Sequence, residues 1–227
     1  MLKRTEKNPL WLFEILHPKA LLVVAHADDE TIFAGGLILS SRKTEWTIVC
    51  CNPQGTRREQ EFQSACLFLS RRSGNSIRPV LLNPIRKQDG DIDILPSEQL
   101  KPYAKGYDIV FTHNREGEYG HEDHKKVHHT VLGSICNFNT WVFLSPGSSN
   151  IAPRTQIELR SKRPGGNFTL HLTPEIRRLK IQAFQECHKG EAERYGYDEK
   201  GKLRDSHLKE TLKWEFESRR EEYTFFK

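Results

Sequence analysis

Short apolar runs rich in β-branched residues alternate with longer mixed segments along this chain, and this alternation limits its fold more than any other feature. Apolar runs without polar alternation predict strands that are covered on both faces. They occur at residues 20–25, 46–51, 79–82, 108–112 and 141–144. Because parallel strands need a crossover between them, the strand–helix order predicts an α/β fold. It should be a Rossmann-like, doubly wound, mostly parallel sheet with helices on both faces.

The segments between these runs predict helices, and two further helices are predicted towards the C-terminus. The predicted helices cover residues 31–41, 57–70, 96–104, 121–135, 173–196 and 207–223. The start at residue 173 is well marked, because Thr173 can act as N-cap and is followed by proline and glutamate. The sequence has no internal repeat and no low-complexity linker, so residues 1–227 are expected to form a single domain.

Composition argues against several classes of protein. The formal net charge of +5 is a mild excess, and no arginine-rich block with interleaved aromatic residues indicates a nucleic-acid partner. The five cysteines form no C-x-x-C pair, which predicts buried thiols in a reducing compartment. No run approaches the ~20 apolar residues of a membrane span, and no signal-peptide cleavage site follows the N-terminus. The expectation is a cytoplasmic protein without a membrane partner, and a homo-oligomer stays open.

A histidine and three acidic residues directly follow the first apolar run, in the stretch HADDE at residues 26–30. Ligands of open α/β sheets bind beyond the carboxyl ends of the strands. If the chain turns at once, His26 and Asp29 converge, because residues three apart share one side of a helical turn. Asp28 then projects nearby without occupying the same point. The alternative is a solvated helix start, where amide dipoles favour acidic residues.

A second cluster of histidines follows the strand predicted at 108–112. That strand runs into His113, and the stretch GEYGHEDHKKVHH at 117–129 comes shortly after it. His121 and His124 are three residues apart, so one helical turn presents both on the same side. In a parallel sheet this cluster and the first one lie on the same rim. The sequence therefore predicts that histidines from both clusters meet.

Two imidazoles and one carboxylate are the ligand set predicted where the clusters meet: His26, Asp29 and one of the later histidines. Three nitrogen or oxygen ligands with an open position are typical of catalytic zinc. An iron(II) facial triad uses the same ligand types. Asp28 would then be available to take a proton from water that is activated by the metal.

The two clusters resemble the motifs of the LmbE-like, or PIG-L-type, zinc-dependent N-acetylglucosaminyl deacetylases. HADDE at 26–30 is similar to the family's His-Pro-Asp-Asp-Glu, and HEDH at 121–124 is similar to its His-Pro-Asp-His. The resemblance extends to YDIVFTHNREGEYGH at 107–121 and to the Arg-x-x-Glu-x-x-x-Ala pattern within 57–65. It covers roughly residues 20–145.

Two positions depart from the family pattern. Ala27 and Glu122 stand where the family usually has proline, which would stiffen each turn. Their loss should loosen the loops slightly without removing a ligand. Membrane-anchored eukaryotic members carry a transmembrane helix, so the expectation for this chain is the soluble bacterial type.

The resemblance implies a hydrolase that removes the acetyl group from a small N-acetylglucosamine-type sugar or glycoconjugate. By position, it implies His26, Asp29 and His124 as ligands of Zn²⁺, with Fe²⁺ or another divalent metal as alternatives. It also implies Asp28 as the general base that takes a proton from the attacking water.

Five further residues receive roles by the same resemblance. His121 is implied to stabilise the oxyanion or protonate the amine, with Asp123 orienting it. Tyr119 is implied to help polarise the carbonyl group. Arg58 is expected either to hold the sugar or its anionic substituent, or to form an ordinary surface ion pair. Asn114 is a weaker candidate for substrate contact.

Two other functions stay open at this point. One is an amidase that cleaves a glycan–thiol conjugate on the same site, and the other is a non-catalytic sugar- or nucleotide-binding α/β module. The chain has no G-x-G-x-x-G, G-x-x-x-x-G-K-[ST] or G-x-S-x-G pattern, which argues against nucleotide-binding and serine-hydrolase functions. Substrate specificity is expected to lie in rim loops at 83–96 and 145–167.

Overall fold

A seven-stranded sheet forms the centre of the protein in a computed structural model that describes residues 18–135, 140–144, 167–194 and 220–226. Its strands are β1 (Lys19–Val24), β2 (Glu45–Cys50), β3 (Ile77–Leu81), β6 (Ile109–Thr112), β7 (Thr140–Leu144), β8 (Asn167–His171) and β9 (Arg220–Phe226). Two further strands, β4 (Ile85–Arg86) and β5 (Ile92–Ile94), form a separate two-stranded sheet. The sheet order is β3-β2-β1-β6-β7-β9-β8. The first five strands in this order are parallel, and β9 and β8 add antiparallel strands. This confirms the predicted α/β fold with a mostly parallel sheet.

Helices cover both faces of the sheet. They are α1 (Asp29–Ser40), α2 (Thr56–Ser73), α3 (Gly117–Gly120), α4 (Glu122–Ser134), α5 (Pro174–Cys187) and α6 (Lys189–Arg194). Helices α1, α2 and α5 pack against one another, whereas α4 contacts β1 and β6. Leu22 and Val24 of β1 lie in one apolar cluster, and Leu21 and Val23 lie in the other. Both faces of β1 are therefore buried, which explains its continuous apolar run.

The two histidine–acid clusters follow neighbouring strands at one edge of the sheet. β1 pairs with β6 in parallel, with Val23 opposite Thr112, so the segments that follow them emerge side by side. After β1 the chain turns tightly, and the Asp28 carbonyl accepts the first amide hydrogen bonds of α1. After β6 the chain passes through α3 into α4. This arrangement brings the two sequence clusters to the same edge.

Two predicted helices differ in detail from those in the structure. The segment 96–104 forms two 3₁₀ turns, Ser97–Gln99 and Lys101–Tyr103, because Pro102 lacks the amide hydrogen that a longer α-helix needs. The helix predicted over 173–196 ends at Cys187 and restarts at Lys189. His188 separates the two parts, and its side chain is fully buried.

The C-terminal helix predicted over 207–223 is wrong where the structure describes it. Arg220–Phe226 forms strand β9, which pairs with β7 on one side and β8 on the other. Hydrogen bonding to two neighbours overrides the local helical tendency, and the final Tyr-Thr-Phe-Phe is typical of a strand. Residues 207–219, and the loop at 145–166, lie outside the described residues. Among the described helices, none combines the length and apolar character needed to cross a bilayer.

Candidate metal centre

Three donor atoms from the two sequence clusters converge at the edge of the sheet. His124 Nε2 lies 3.3 Å from His26 Nδ1, and Asp29 Oδ2 lies 3.5 Å from each of these nitrogens. All three residues are buried. A tetrahedral ion with ligands at about 2.0–2.1 Å separates its donor atoms by about 3.4 Å. The structure therefore brings together the three residues predicted as ligands, at a spacing that fits a divalent ion.

Buried carboxylates orient both of these histidines. His26 Nε2 lies 3.1 Å from Asp123 Oδ2, and His124 Nδ1 lies 2.6 Å from Glu118 Oε2. A carboxylate accepts a hydrogen bond, so these outer nitrogens carry the protons and the inner nitrogens carry the lone pairs. Burial also lowers the pKa of His124 to about 4, which favours the neutral ring. His124 thus presents a lone pair where the donor atoms converge, and His26 presents one at Nδ1 once the proton on that nitrogen is lost.

Glu118 is a functional residue that the sequence reasoning missed. Its carboxylate contacts His124 and His113, and its Oε1 accepts the Asn114 amide hydrogen bond at 2.8 Å. Its backbone has a φ of +56°, which is uncommon outside glycine and places the side chain beneath the histidines. The sequence held a weak signal for such a residue near the HEDH motif, because a metal-binding histidine usually has a carboxylate or carbonyl partner.

Asp123, which the resemblance implies as the residue that orients His121, contacts several partners in the structure. Its carboxylate contacts His26, and it accepts hydrogen bonds from Asn52 Nδ2 at 3.0 Å and the Ile92 amide at 2.8 Å. Burial raises the pKa of Asp123, but the bonds from His26 and Asn52 outweigh this and hold it at about 2. The contact with His121 is made by the Asp123 main-chain amide, because Asp123 lies in the first turn of α4 and His121 is the N-cap.

This N-cap contact determines what His121 can do. The amide of Asp123 donates to His121 Nδ1 at 3.2 Å, so a neutral ring carries its proton on Nε2. Burial and the charge of His26 lower the pKa of His121, which favours that neutral ring. Its centroid lies 4.6 Å from that of His26 and 4.7 Å from that of His124. His121 is thus suited to donate a hydrogen bond at the edge of the site, although its position is also close enough for a third imidazole ligand.

His113 lies beneath the convergence point and completes a second set of close donors with Asp29 and His124. Its Nε2 is 3.3 Å from Asp29 Oδ2, but it also accepts the Ala25 amide hydrogen bond at 2.9 Å. Its Nδ1 lies 2.9 Å from Glu118 Oε2. Because the Ala25 amide occupies the Nε2 lone pair, His113 supports the site and is a poor ligand.

Asp28 stands beside the ligands with a cation as its partner. Its Oδ2 lies 3.2 Å from Arg58 Nη2, and the residue is 5% exposed. Burial and the neighbouring charge of Asp29 raise the pKa of Asp28 to about 6, although Arg58 opposes this. A carboxylate that titrates near neutral pH is suited to act as a general base.

Arg58 is occupied by carboxylates on three sides. Besides Asp28, its Nη1 contacts Glu61 at 3.0 Å and Glu191 at 3.6 Å. Its side chain is 14% exposed. An anionic substituent of a substrate would have to compete with these partners. The structure therefore favours Arg58 as a support for Asp28 over the expected contact with substrate.

The corner between α5 and α6 contacts the residues around Asp28. His188 Nε2 lies 2.9 Å from Glu30 Oε1, and Glu30 also accepts a hydrogen bond from Thr31 Oγ1 at 2.6 Å. Gly190 of α6 lies against the guanidinium of Arg57 in α2. The C-terminal part of the chain thus touches α1 directly after Asp29. Sequence reasoning assigned no role to Glu30 or His188.

Asn114 and Tyr119 are the two remaining candidate site residues. Asn114 is engaged within the protein: its Nδ2 donates to the Phe143 carbonyl at 3.0 Å, and its Oδ1 accepts the amides of Glu116 and Glu118. These bonds shape the loop before α4 and leave the substrate contact without support. Tyr119 belongs to α3, and its side chain lies outside the described part of the structure.

The local charge balance favours a cation at the convergence point. Four carboxylates surround it, those of Asp28, Asp29, Glu118 and Asp123, and all four residues are buried. Burial lowers the pKa of His26, yet its hydrogen bonds with Asp123 and Asp29 raise it to about 10. Such a ring holds a proton until a stronger cation replaces it, and metal ligation requires that exchange. The donor set and its charge therefore fit a divalent metal ion.

Comparison with known proteins agrees with the fold and the motifs. The chain matches the family PIG-L, described as GlcNAc-PI de-N-acetylase, over residues 21–134. It is 28% identical over 124 residues to the uncharacterized protein L374 of Acanthamoeba polyphaga mimivirus, an alignment that covers 47% of this chain and 53% of that protein. The chain thus spans about half the length of this relative.

Solved structures share the fold at low sequence identity. The zinc-inhibited form of teicoplanin deacetylase Orf2 superposes with a TM-score of 0.58 at 14% identity, over 91% of this chain and 97% of that one. GalB, the 4-carboxy-2-hydroxymuconate hydratase of Pseudomonas putida KT2440, superposes with a TM-score of 0.51 at 15% identity, over 92% and 96%. These likenesses establish the architecture only, and this architecture carries more than one chemistry.

Proposed function

The chain belongs to the PIG-L family, and on that premise we propose that it is a metal-dependent hydrolase that deacetylates an N-acetylglucosamine-type sugar or glycoconjugate. One observation carries the proposal: the donor atoms of His26, Asp29 and His124 lie 3.3–3.5 Å apart, with the carboxylate of Asp28 beside them. Family membership suggests the substrate class, and the donor atoms suggest the chemistry.

The three ligands would hold Zn²⁺ or Fe²⁺ and leave a position open. A divalent ion there supplies Lewis acidity, which lowers the pKa of water to about 7 and polarises an amide carbonyl. Asp123 and Glu118 keep the ligand rings in the tautomers that this requires. His113 stacks on His124 with ring centroids 3.8 Å apart and fixes the plane of that ring.

Asp28 is proposed to act first as base and then as acid. With a pKa of about 6 it is mostly ionised at neutral pH, so it can accept a proton from water as the water oxygen bonds to the acetyl carbon. The same proton then passes to the amine nitrogen as the C–N bond breaks, which releases acetate and the free amino sugar. Arg58 holds the carboxylate in place during both transfers.

His121 is proposed to stabilise the oxyanion. The N-cap hydrogen bond on Nδ1 directs the Nε2 proton away from the helix, where it can donate to the carbonyl oxygen as negative charge develops. One such donor is worth about 2.7–4 kcal/mol of barrier lowering. Tyr119 remains a candidate for a second donor, and Arg58 and Asn114 remain weaker candidates for substrate binding.

The proposal is tested by the release of free amine from a panel of N-acetylglucosamine glycosides, with and without a chelator. Metal content of the purified protein is measured in parallel. We expect stoichiometric divalent metal and a chelator-sensitive release that zinc or iron(II) restores. Because a structural neighbour is described in a zinc-inhibited form, zinc is titrated through and beyond one equivalent.

Each alternative outcome has a distinct meaning. A protein that purifies without stoichiometric metal and binds sugars without releasing amine would be a binding module. Release of amine only from a glycan–thiol conjugate would indicate the amidase instead. Amine release that survives complete removal of metal would contradict the proposed mechanism, whatever the substrate.

A further inference from the structure

Asn52 occupies a central place beside the metal centre, and the proposed reaction does not use it. It follows β2 at the functional edge of the sheet and is fully buried. Its Nδ2 donates to Asp123 Oδ2 at 3.0 Å and to the Gly90 carbonyl at 3.1 Å. Its Oδ1 accepts a hydrogen bond from Arg86 Nε at 2.8 Å. Every polar atom of this side chain is therefore used.

The oxygen of Asp123 that Asn52 contacts is the one that faces His26. Asp123 Oδ2 accepts from Asn52 and lies 3.1 Å from His26 Nε2, while Oδ1 accepts the Ile92 amide. These bonds hold the plane of the carboxylate. Because His26 ligates through the opposite nitrogen, a rotation of this carboxylate would turn the ring and move Nδ1 away from Asp29 and His124.

The hairpin formed by β4 and β5 is attached to this network at three points. Arg86 of β4 bonds to Asn52, Gly90 in the turn accepts from Asn52, and Ile92 of β5 bonds to Asp123. Lys126 Nζ in α4 additionally donates to the Ile92 carbonyl. The hairpin lies within the rim loop 83–96, where the sequence predicted determinants of specificity.

Arg86 has a directional effect on Asn52. An amide side chain has a donor end and an acceptor end, and exchanging them would place an oxygen against the Asp123 carboxylate. The N–H of Arg86 requires the oxygen of Asn52 to face the hairpin, which leaves the NH₂ group for Asp123. Arg86, an exposed residue, thus selects the orientation that supports His26.

We propose that Asn52 and Arg86 are positioning residues for the metal ligand His26, and that through them the β4–β5 hairpin sets the affinity of the metal centre. The inference rests on the proposed function, because it requires that His26 binds a divalent ion. It goes beyond that function by linking an element of the rim to the geometry of the ligands. Outer partners of metal ligands typically change metal affinity 10–100-fold when they are removed.

The chain offers a matched control for each residue. Asn75 is another buried asparagine, with Nδ2 donating to the Ile38 carbonyl at 2.8 Å, but it precedes β3 and so lies at the opposite edge of the sheet. Lys87 follows Arg86 on the same hairpin and is exposed. A general loss of packing would affect both asparagines, whereas a positioning effect is confined to Asn52.

The experiment measures the affinity of the full-length protein for Co²⁺, by competition with a chelator, together with the Co²⁺ absorption spectrum and the apo-protein melting temperature. We expect Asn52→Leu to weaken binding by about 10–100-fold and to change the spectrum. Arg86→Met should weaken binding to a smaller degree, and Arg86→Lys should recover part of it by restoring a donor. Asn75→Leu and Lys87→Met should bind Co²⁺ as the unmodified protein does.

Several outcomes would overturn the inference. One is unchanged Co²⁺ affinity and spectrum in Asn52→Leu, and another is an equal loss in Asn75→Leu. If Asn52→Leu does not fold, Arg86→Met decides, since an exposed substitution should leave the fold intact, and unchanged affinity there refutes the proposal. If the unmodified protein binds no divalent ion, the proposed function itself fails, which separates the two failures.

Discussion

On the metal-ligand side of the site, carboxylates stand behind histidines, whereas on the side of Asp28 a guanidinium stands behind a carboxylate. Asp123 and Glu118 support His26 and His124, and all four residues lie within the range that matches the family. The Asp28 side depends on Arg58 and, through Arg58, on Glu191 of α6, outside that range. The metal-ligand side is therefore built entirely from residues within the family-matching range, whereas the Asp28 side also uses a residue outside it.

The difference agrees with the role proposed for each side. A histidine ligand must present a lone pair in one direction, and a carboxylate behind the ring fixes the proton on the far nitrogen. A general base must gain and lose a proton near neutral pH, so its partner has to limit its pKa without donating a proton. Changes on the first side should alter metal affinity, and changes on the second should alter turnover with metal retained.

The largest effect is expected from His124→Ala. Removing a ligand should lower metal affinity by more than the roughly 100-fold attributed to loss of a supporting partner, and turnover should be lost with it. Metal content after dialysis and amine release are the measurements. His129→Ala, on an exposed position of the same helix, is the control. Retention of one tightly bound ion by His124→Ala would break the assignment of the ligand side.

Asp28→Asn should separate the two sides most clearly. The variant cannot accept a proton, so we expect turnover to fall by about 10²–10⁴-fold while metal affinity stays near that of the unmodified protein. Asp93→Asn, an exposed residue of β5, is a matched control that should change neither. Full activity in Asp28→Asn would show that the base is a different group.

Glu118→Gln tests the support behind His124. Glu118 accepts hydrogen bonds from two ring nitrogens, and the hydrogen bonds and charges of His113 and His124 overcome the effect of burial and lower its pKa to about 2. A neutral amide loses this charge, so metal affinity should fall by about 10–100-fold. Added metal should restore turnover, because Asp28 is untouched. If saturating metal restored nothing, Glu118 would have a direct part in the chemistry.

The smallest effect is expected from Glu191→Gln in α6. Arg58 keeps Asp28 and Glu61 as partners, and the contact with Glu191 at 3.6 Å is the longest of the three. We expect kcat to fall by a few-fold at most, with unchanged metal affinity. Glu193→Gln, exposed on the same helix, should have no effect. A loss of metal in Glu191→Gln would erase the proposed distinction between the two sides.

The strands and the convergence of the two clusters followed from the sequence because both depend on local patterns. Continuous apolar runs indicate buried parallel strands, and His26 and His113 come shortly after the neighbouring strands β1 and β6. Residues that directly follow two adjacent strands must lie close together. The residues alone therefore placed His26 and Asp29 near the later histidines, and the resemblance to the family motif selected His124 among these.

Partners from distant segments could not be placed in this way. Asn52 and Asp123 are separated by 71 positions in sequence and His188 and Glu30 by 158, yet each pair is in hydrogen-bonding contact. The contact of the Asp123 carboxylate with His26, 97 positions away, could not be placed for a similar reason.

By itself, the order of residues determined the sheet, the edge where the chemistry lies and which atoms can bind a metal ion, because side-chain periodicity and donor type are local properties. Only the tertiary structure decided which nitrogen of each histidine carries the lone pair, that Arg58 serves Asp28, and that α6 reaches the site. Those features depend on hydrogen bonds between segments far apart in the chain. Such pairings follow from how the helices pack on the sheet, and no local pattern encodes them.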